Sequence, residues 1–146
     1  MIADYDNMPM AFYDCNDKYF DGKLPTPKFG LIHKTSMLGW FGYRKNKKKN
    51  CNREPLEYKI IKMSDCYDFE EKDFIEIMVH EMIHYYIAWN QIKDTGDHGT
   101  MFMKMANELR EKHGLNITKT KDASSFKKTK SAPKSIWDIL FGSNSI

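Results

Sequence analysis

Residues 68–90 read DFEEKDFIEIMVHEMIHYYIAWN, and their spacing predicts a helix from Asp68 to about Trp89 or Asn90. An Asp at position 68 with Glu71 three residues later is typical of a helix N-terminus. Apolar residues recur at helical spacing beyond it and predict one buried stripe: Met78, Met82, Tyr85, Tyr86 and Trp89. This helix also contains the residues on which a functional interpretation depends.

The helix includes the pentapeptide His80-Glu81-Met82-Ile83-His84. Residues four apart share a helix face with Cβ atoms about 6 Å apart, so two imidazoles can bind one Zn²⁺ at about 2.0–2.1 Å. Glu81 lies beside that face, near enough to accept a proton from a zinc-activated water without ligating. The alternative is a helix whose polar face carries these three residues without a metal. A catalytic zinc needs a third protein ligand and one open position.

His98 is the best candidate for the third ligand. It follows a loop at 91–97 and immediately precedes a second predicted helix, from about Gly99 to His113. If that helix packs antiparallel on the first, its N-terminus returns towards the metal. His33, at the end of a strand, and His113, at a helix C-terminus where a cation is favoured, are weaker candidates. An exposed loop histidine is the other interpretation of His98.

The N-terminal half predicts one further helix and three strands. The helix covers residues 8–20, and the strands are Lys28–His33, Leu38–Tyr43 and Leu56–Met63, rich in aromatic and branched residues. Residues 44–55 form a long, basic connection between the last two. Beyond the second functional helix, Leu115–Thr118 is a candidate short strand. We therefore expect an α+β fold, with a small antiparallel sheet packed against about three helices.

Several segments together resemble the SprT-like metallopeptidase family, which pairs an HExxH helix with a downstream HGxxF segment. The matching segments are residues 80–84 (HEMIH), 98–102 (HGTMF), 16–25 (NDKYFDGKLP), 39–41 (GWF), 60–64 (IIKMS) and 115–118 (LNIT). The resemblance covers roughly residues 8–118. It implies a zincin-like minidomain over residues 1–118, with His80, His84 and His98 as zinc ligands and Glu81 as the general base. The reaction implied is hydrolysis of a peptide bond in a protein substrate.

Animal and fungal members of that family act on proteins crosslinked to DNA. The resemblance therefore implies DNA-associated or DNA-crosslinked proteins as one class of substrate. Many relatives continue into a zinc ribbon with four cysteines. No cysteine follows Cys66, so we expect that ribbon, and any DNA contacts it supplies, to be missing here.

Two basic segments stand out against a mildly acidic remainder. Residues 44–53 hold six basic and no acidic side chains, and residues 119–134 hold six lysines and one aspartate. Such segments can bind phosphates with strong salt dependence. The first makes Arg44, Lys45, Lys47, Lys48 and Lys49 candidate DNA contacts. The alternative is a hairpin tip that its lysines keep soluble.

The C-terminal part, residues 119–146, is rich in Lys, Ser and Thr and predicts a flexible basic tail that adds to any DNA binding. Near its end, Ile136, Trp137, Leu140 and Phe141 form one apolar turn. Ile136–Phe141 resembles a peptide that docks into the groove of a partner protein. The alternative is that it folds back onto its own domain.

Composition excludes some classes. No apolar run is long enough to cross a membrane, and the acidic N-terminus is not that of a secretory signal. Three isolated cysteines, Cys15, Cys51 and Cys66, suit a reducing cytoplasm.

These observations predict a cytoplasmic zinc-dependent endopeptidase. One alternative is a non-catalytic adaptor that contains zinc and binds DNA or a partner protein. Three histidines without a fourth ligand speak against it, because structural zinc sites fill all four positions. A zinc hydrolase with a non-protein substrate is the other alternative.

Overall fold

The computed structural model describes residues 1–47 and 54–134. In chain order its elements are α1 (Asn7–Tyr19), β1 (Lys28–Ile32), β2 (Gly39–Lys45), β3 (Leu56–Ser64), β4 (Tyr67–Asp68), α2 (Glu71–Trp89), α3 (Thr100–His113) and β5 (Lys127–Lys128). A single 3-10 turn, Ala123–Ser125, precedes β5. The α+β fold with three helices is confirmed, and the predicted helices and main strands agree with the observed ones within about three residues.

The main sheet is mixed, which corrects the prediction of an antiparallel sheet. Its strand order is β1-β3-β2, with β3 antiparallel to β2 and parallel to β1. The chain reverses direction after β1 and again after β2, so β1 and β3 point the same way. Because β3 inserts between its two predecessors, its ladder with β1 is parallel. The sequence pattern predicts each strand but not this order.

Helix α2 is the centre of the fold. It packs against β2 and β3 on one side and against α1 and α3 on others. Its fully buried side chains include Phe74, Met78, Met82 and Tyr85, and burial of each such side chain contributes about 1.5–3 kcal/mol. A helix held on so many sides positions its remaining polar residues rigidly, and those are the residues of the candidate site.

Two local predictions differ from the structure. Asp68 does not cap α2; it lies in β4, and its carboxylate accepts a hydrogen bond from the N-terminal amine of Met1 at 2.7 Å. Residues 115–118 pair with no strand, although Leu115 and Ile117 are buried. In both places, tertiary contacts outweigh the local pattern.

Parts of the basic segment 119–134, which composition predicts to be flexible, contact the body of the protein. Strand β5 pairs with β4, the Phe126 ring packs edge-on against Tyr67 and Phe69, and Ala132 is buried. Two apolar residues among the lysines supply anchors that an average over composition hides. Residues 135–146, with the predicted docking peptide Ile136–Phe141, lie outside the described residues.

Among residues 1–47 and 54–134, no helix combines the length and the apolar character needed to cross a lipid bilayer.

Candidate metal centre

The three histidines singled out by the sequence come together in one cleft. The Nε2 atom of His98 lies 3.1 Å from His80 Nε2 and 3.2 Å from His84 Nε2. The ring centroids of the three imidazoles are 4.9–5.0 Å apart in every pair. Three ring nitrogens therefore face a common point.

This arrangement fits a zinc ion. Three nitrogens each about 2.0–2.1 Å from a tetrahedral Zn²⁺ lie about 3.3 Å from one another, close to the observed separations. All three side chains are partly exposed, so the fourth position faces the cleft. The donors are imidazoles, which suit Zn²⁺.

Helix α2 supplies two of the rings because His80 and His84 are one turn apart on a helix whose other sides are packed. The third ring is placed by the start of α3. Here the Asp94 carboxylate accepts hydrogen bonds from the backbone N–H groups of Met101 at 3.0 Å and Phe102 at 2.9 Å. A Cβ at Gly99 would overlap Asp94, so glycine allows this close approach. His98 is thus held between Asp94, which caps α3, and the first turn of that helix.

Asp94 was not predicted from the sequence. Burial alone would raise its pKa, but hydrogen bonds from the backbone of Met101, Phe102 and Thr95 outweigh burial and lower it. The carboxylate therefore stays ionised and can stabilise the N-terminus of α3. In the sequence, an Asp a few residues before the predicted start of a helix is a candidate capping residue.

Phe102 forms the floor of the cluster. Its ring centroid lies 4.9 Å from that of His80, 4.7 Å from His84 and 4.8 Å from His98, and its side chain is fully buried. One aromatic ring therefore restricts all three imidazoles. The HGTMF segment of the sequence includes Phe102 but does not predict this contact.

A hydrogen bond to the backbone fixes the orientation of the His80 ring. Its Nδ1 atom donates a hydrogen bond to the Thr118 carbonyl oxygen at 2.9 Å, which leaves Nε2 free to face the other rings. The Thr118 segment is in turn held by Glu76, whose buried carboxylate accepts hydrogen bonds from the Asn116 backbone N–H at 2.5 Å and from Lys121 Nζ at 3.0 Å. Glu76 precedes His80 by one helical turn, so α2 holds both the ring and its support.

Glu81 lies beneath the glycine that starts β2. Its side chain is 6% exposed, and a Cβ built at Gly39 would come within 2.9 Å of Glu81 Oε2. Any larger residue at position 39 would displace the carboxylate. Burial, with a smaller contribution from the negative charge of Asp97, raises the pKa of Glu81 to about 8. In the metal-free chain this carboxyl group therefore holds a proton more tightly than an ordinary glutamate does.

The pKa values of His80 and His84 are shifted in the opposite direction, below the ordinary value for histidine. Burial, reinforced by repulsion from His84 and His98, lowers the pKa of His80 to about 4. Burial likewise lowers the pKa of His84. Neutral imidazoles are the form that binds a metal, so these rings are ready to do so at neutral pH.

The cluster opens into a cleft of about 820 Å³. Its walls come from the edge strand β2, from α2 and from the loop before α3, and Lys45, Lys93 and Lys119 are among the residues that line it. Trp40 also lines the cleft; it lies over Gly42, and Lys62 Nζ is 5.2 Å from its ring centroid. It is 43% exposed and does not pack between sheet and helix.

The weaker ligand candidates lie elsewhere. His33 pairs with Asp65 at 2.7 Å, and the His113 ring packs edge-on against Tyr19 at a centroid distance of 4.8 Å.

Five residues are candidate DNA contacts, and three of them lie among the described residues. Lys48 and Lys49 lie outside the described residues. Lys45 and Lys47 are exposed, whereas Arg44 Nε donates a hydrogen bond to Glu57 Oε1 at 2.6 Å. Arg44 therefore already has an acidic partner.

A His-Glu-x-x-His helix, followed by a third histidine at the start of the next helix, is the arrangement of a large class of metallohydrolases. The SprT-like family model matches residues 9–121. The chain belongs to the SprT-like family.

Curated relatives include the proteins named DNA-dependent metalloprotease SPRTN from human, rat and mouse. Each is 26% identical to this chain over 113 residues, which is 77% of this chain and 22% of the relative. The chain thus spans about a fifth of the length of these relatives. The similarity suggests a metalloprotease and implies a metal, with zinc as the ion that the donor set fits.

Proposed function

We propose that this chain is a zinc-dependent endopeptidase in which His80, His84 and His98 bind the metal and Glu81 is the general base. The observation that carries the proposal is the convergence of three Nε2 atoms, 3.1 and 3.2 Å from His98 to its two neighbours, in the cleft that Glu81 also lines. Membership of the SprT-like family supports it independently.

A bound Zn²⁺ supplies a Lewis acid that polarises the scissile carbonyl and makes water acidic enough to attack at neutral pH. Glu81 accepts the proton of the attacking water from its position in the cleft that also holds the three histidines. The same carboxyl group then donates the proton to the departing amine, which completes the cleavage. Gly39 and the buried surroundings hold the carboxylate in place, and Phe102 and Thr118 hold the rings.

The substrate would bind as an extended peptide along β2. This strand lies at one edge of the three-stranded sheet and contributes to the cleft wall. An edge strand offers backbone N–H and C=O groups that can pair with an added strand. Such pairing does not depend on side chains, which suits a protease with many protein substrates.

We further propose that the substrates are proteins bound or crosslinked to DNA. Three lysines line the cleft, and the exposed Lys45 and Lys47 lie at the end of β2 and just after it. Positive charge beside the cleft would bring it close to a protein held on a polyanion. The SPRTN relatives are named DNA-dependent metalloproteases, and that name connects proteolysis with DNA for those proteins.

Glu81→Gln tests the proposed base. The zinc-loaded variant should retain its metal and lose about 10²–10⁴-fold in turnover, measured as cleavage of casein and of a protein crosslinked to single-stranded DNA. Glu111→Gln, an exposed glutamate on α3, is the matched control and should remain active. Equal, measurable turnover in wild type and Glu81→Gln would refute the assignment of the base, whereas no turnover in the zinc-loaded wild type would favour the non-catalytic adaptor.

The basic connection has its own test. Replacing Lys47, Lys48 and Lys49 by Ala should weaken DNA binding and reduce the slope of log affinity against log salt by about 2 to 3. A control triple variant, Lys72, Lys104 and Lys112 to Ala, removes the same charge from exposed helix positions. If both triple variants lower affinity equally, the effect is one of net charge and the connection is not a specific contact.

A further inference from the structure

A second group of potential metal ligands lies where β1 ends and β3 turns into β4. His33 follows β1, and Asp65 and Cys66 connect β3 to β4. The Cys66 Sγ atom is 3.6 Å from both His33 Nδ1 and Asp65 Oδ1, and those two atoms are 2.7 Å apart. None of these residues lines the cleft of the three histidines.

We propose that His33, Asp65 and Cys66 form a second zinc site with one coordination position open to solvent. In a tetrahedral site, a thiolate sulfur lies about 3.5 Å from an imidazole nitrogen or a carboxylate oxygen, and those two lie about 3.3 Å apart. Both sulfur distances already match. The nitrogen and oxygen need to separate by about 0.6 Å, as the hydrogen bond between them is replaced by bonds to the metal.

The chemistry of the three donors favours zinc. Thiolate sulfur selects soft or borderline ions, and the combination with imidazole and carboxylate is one that Zn²⁺ accepts. Binding would release the thiol proton and the proton shared by His33 and Asp65 to solvent. The product is a thiolate, a neutral imidazole and a carboxylate on one ion, with no oxidant or reductant required.

The backbone around the three donors is fixed before any metal binds. Ser64 Oγ donates to the Lys34 carbonyl at 2.8 Å and accepts from Cys66 N–H at 3.2 Å, which ties the two chain segments together. The Asp65 N–H donates to the Ile32 carbonyl at 3.1 Å. A site that is already assembled loses little conformational entropy on binding.

The C-terminal segment supports the group from a second side. Thr129 N–H donates to the Cys66 carbonyl at 2.9 Å, and Thr129 Oγ1 donates to the Asp65 carbonyl at 3.4 Å. These contacts hold the backbone of Asp65 and Cys66 from the C-terminal side.

The group is accessible on one side. The His33 side chain is 51% exposed and Asp65 is 27% exposed, whereas Cys66 is buried beneath them. An ion can therefore approach between the imidazole and the carboxylate, with the sulfur at the base. Once bound, it would join the end of β1, the turn between β3 and β4, and the segment that carries Thr129.

Cobalt distinguishes this site from the cleft because, among the described residues, the candidate ligands of the second site include a cysteine and those of the cleft are all histidines. The metal-free full chain is titrated with Co²⁺ while its absorption spectrum and the cobalt bound per chain are recorded. We expect two bound ions and a near-ultraviolet band from sulfur-to-cobalt charge transfer. Cys66→Ser should lose that band and one ion but keep the visible bands of cobalt on three histidines.

Two cysteine variants serve as matched controls. Cys15→Ser and Cys51→Ser should both keep the charge-transfer band. Absence of the band in the wild-type chain, or its persistence in Cys66→Ser, would overturn the proposal. Failure of the cleft to bind metal would instead leave the charge-transfer band in place with one cobalt per chain, so the two sites fail separately.

His33→Gln keeps the test decisive if Cys66→Ser does not fold. This side chain is half exposed, so its replacement should preserve the structure while it removes one ligand. We expect fewer cobalt ions per chain, a weaker charge-transfer band and a smaller rise of Tm on addition of Zn²⁺. Wild-type stoichiometry, band and Tm response in His33→Gln would also refute the second site.

Discussion

The described residues contain two groups of potential metal ligands. The two groups differ in whether a carboxylate is hydrogen-bonded to a histidine. In the cleft, His80, His84 and His98 face one another with no carboxylate within hydrogen-bond distance of their nitrogens; Asp97 is nearest, 3.8 Å from His84 Nδ1. In the other group, Asp65 pairs directly with His33 at 2.7 Å. The pKa values of His80 and His84 are lowered by burial, whereas the hydrogen bond to Asp65 raises that of His33.

The difference shows which group depends on a metal. Protonation of the cleft histidines is disfavoured by burial, and a cation at their centre is the partner that neutral imidazoles lack. The second group is satisfied by its own ion pair and needs only a small rearrangement to bind an ion. We therefore expect zinc to be essential for activity in the cleft, and the second group to keep its arrangement when no metal is bound.

The largest effect is expected from His98→Ala. Loss of one of three ligands should remove the metal from the cleft and reduce peptidase turnover by at least the roughly 10²–10⁴-fold that a general base contributes. His113→Ala, which alters a histidine packed on Tyr19, is the control for activity and zinc content. If His98→Ala retains wild-type turnover, the cleft group is not the metal centre and the comparison fails.

Phe102→Ala should destabilise the protein by about 3–5 kcal/mol, as expected for a buried aromatic residue, and also weaken metal binding. Its ring supports all three imidazoles, so both effects come from one substitution. Chemical denaturation and metal retention during dialysis measure them. Phe102→Leu retains most of the buried volume and should recover much of the stability. Unchanged metal retention in Phe102→Ala would show that the rings do not need this floor.

Glu81→Gln should make the metal-free chain more stable at alkaline pH. The pKa of Glu81 is raised to about 8 in the folded state from an ordinary value of 4.5, so the folded chain binds more protons between those values. Its stability therefore falls as pH rises through this range, by about 1.4 kcal/mol for each unit of difference in pKa. Denaturation with a chelator present should show similar stabilities near pH 4 and a variant a few kcal/mol more stable near pH 9. A constant difference across pH would contradict the buried, high-pKa carboxyl group.

Phe126→Ala tests the segment beside the second group. This ring is partly buried against Tyr67 and Phe69, so we expect a loss of about 1–3 kcal/mol, less than at Phe102. Limited proteolysis should cut residues 119–134 sooner in the variant than in wild type. Rapid loss of the segment from the wild-type chain would instead favour the flexible arm that composition predicted.

The smallest effect concerns the ion pair of the second group in the metal-free chain. Because the pKa of His33 is raised in the folded state, its contribution to stability is present below about pH 6.5 and is lost as pH rises through the folded pKa. His33→Gln should therefore be slightly less stable than wild type in mild acid and equal to it in mild alkali. A difference that grows with pH would mean that Asp65 does not hold the proton on His33.

The sequence was sufficient for those parts of the site that depend on local spacing. The HExxH helix places His80 and His84 one turn apart, and the loop before the second helix returns His98 to them. The supports were harder to predict, since Asp94, Glu76 and the Thr118 carbonyl act through contacts between segments distant in sequence. Gly39 lies within a predicted strand, but its contact with Glu81 arises only when β2 packs on α2.

The same reason explains the errors in the fold. Alternation and turn residues predict β1, β2 and β3 separately, yet the order of strands in a sheet is decided by which packing covers α2. The group of His33, Asp65 and Cys66 joins residues 32 and 33 positions apart, so no local motif announces it. In the basic segment, average composition concealed the two apolar residues that anchor it.

Anomalous diffraction at the zinc absorption edge, from crystals of the zinc-loaded chain, tests the central claim most directly. The account predicts a strong peak about 2.0–2.1 Å from the Nε2 atoms of His80, His84 and His98, in the cleft lined by Glu81. A zinc-loaded crystal with no peak among these three rings, whatever is found elsewhere, would contradict it.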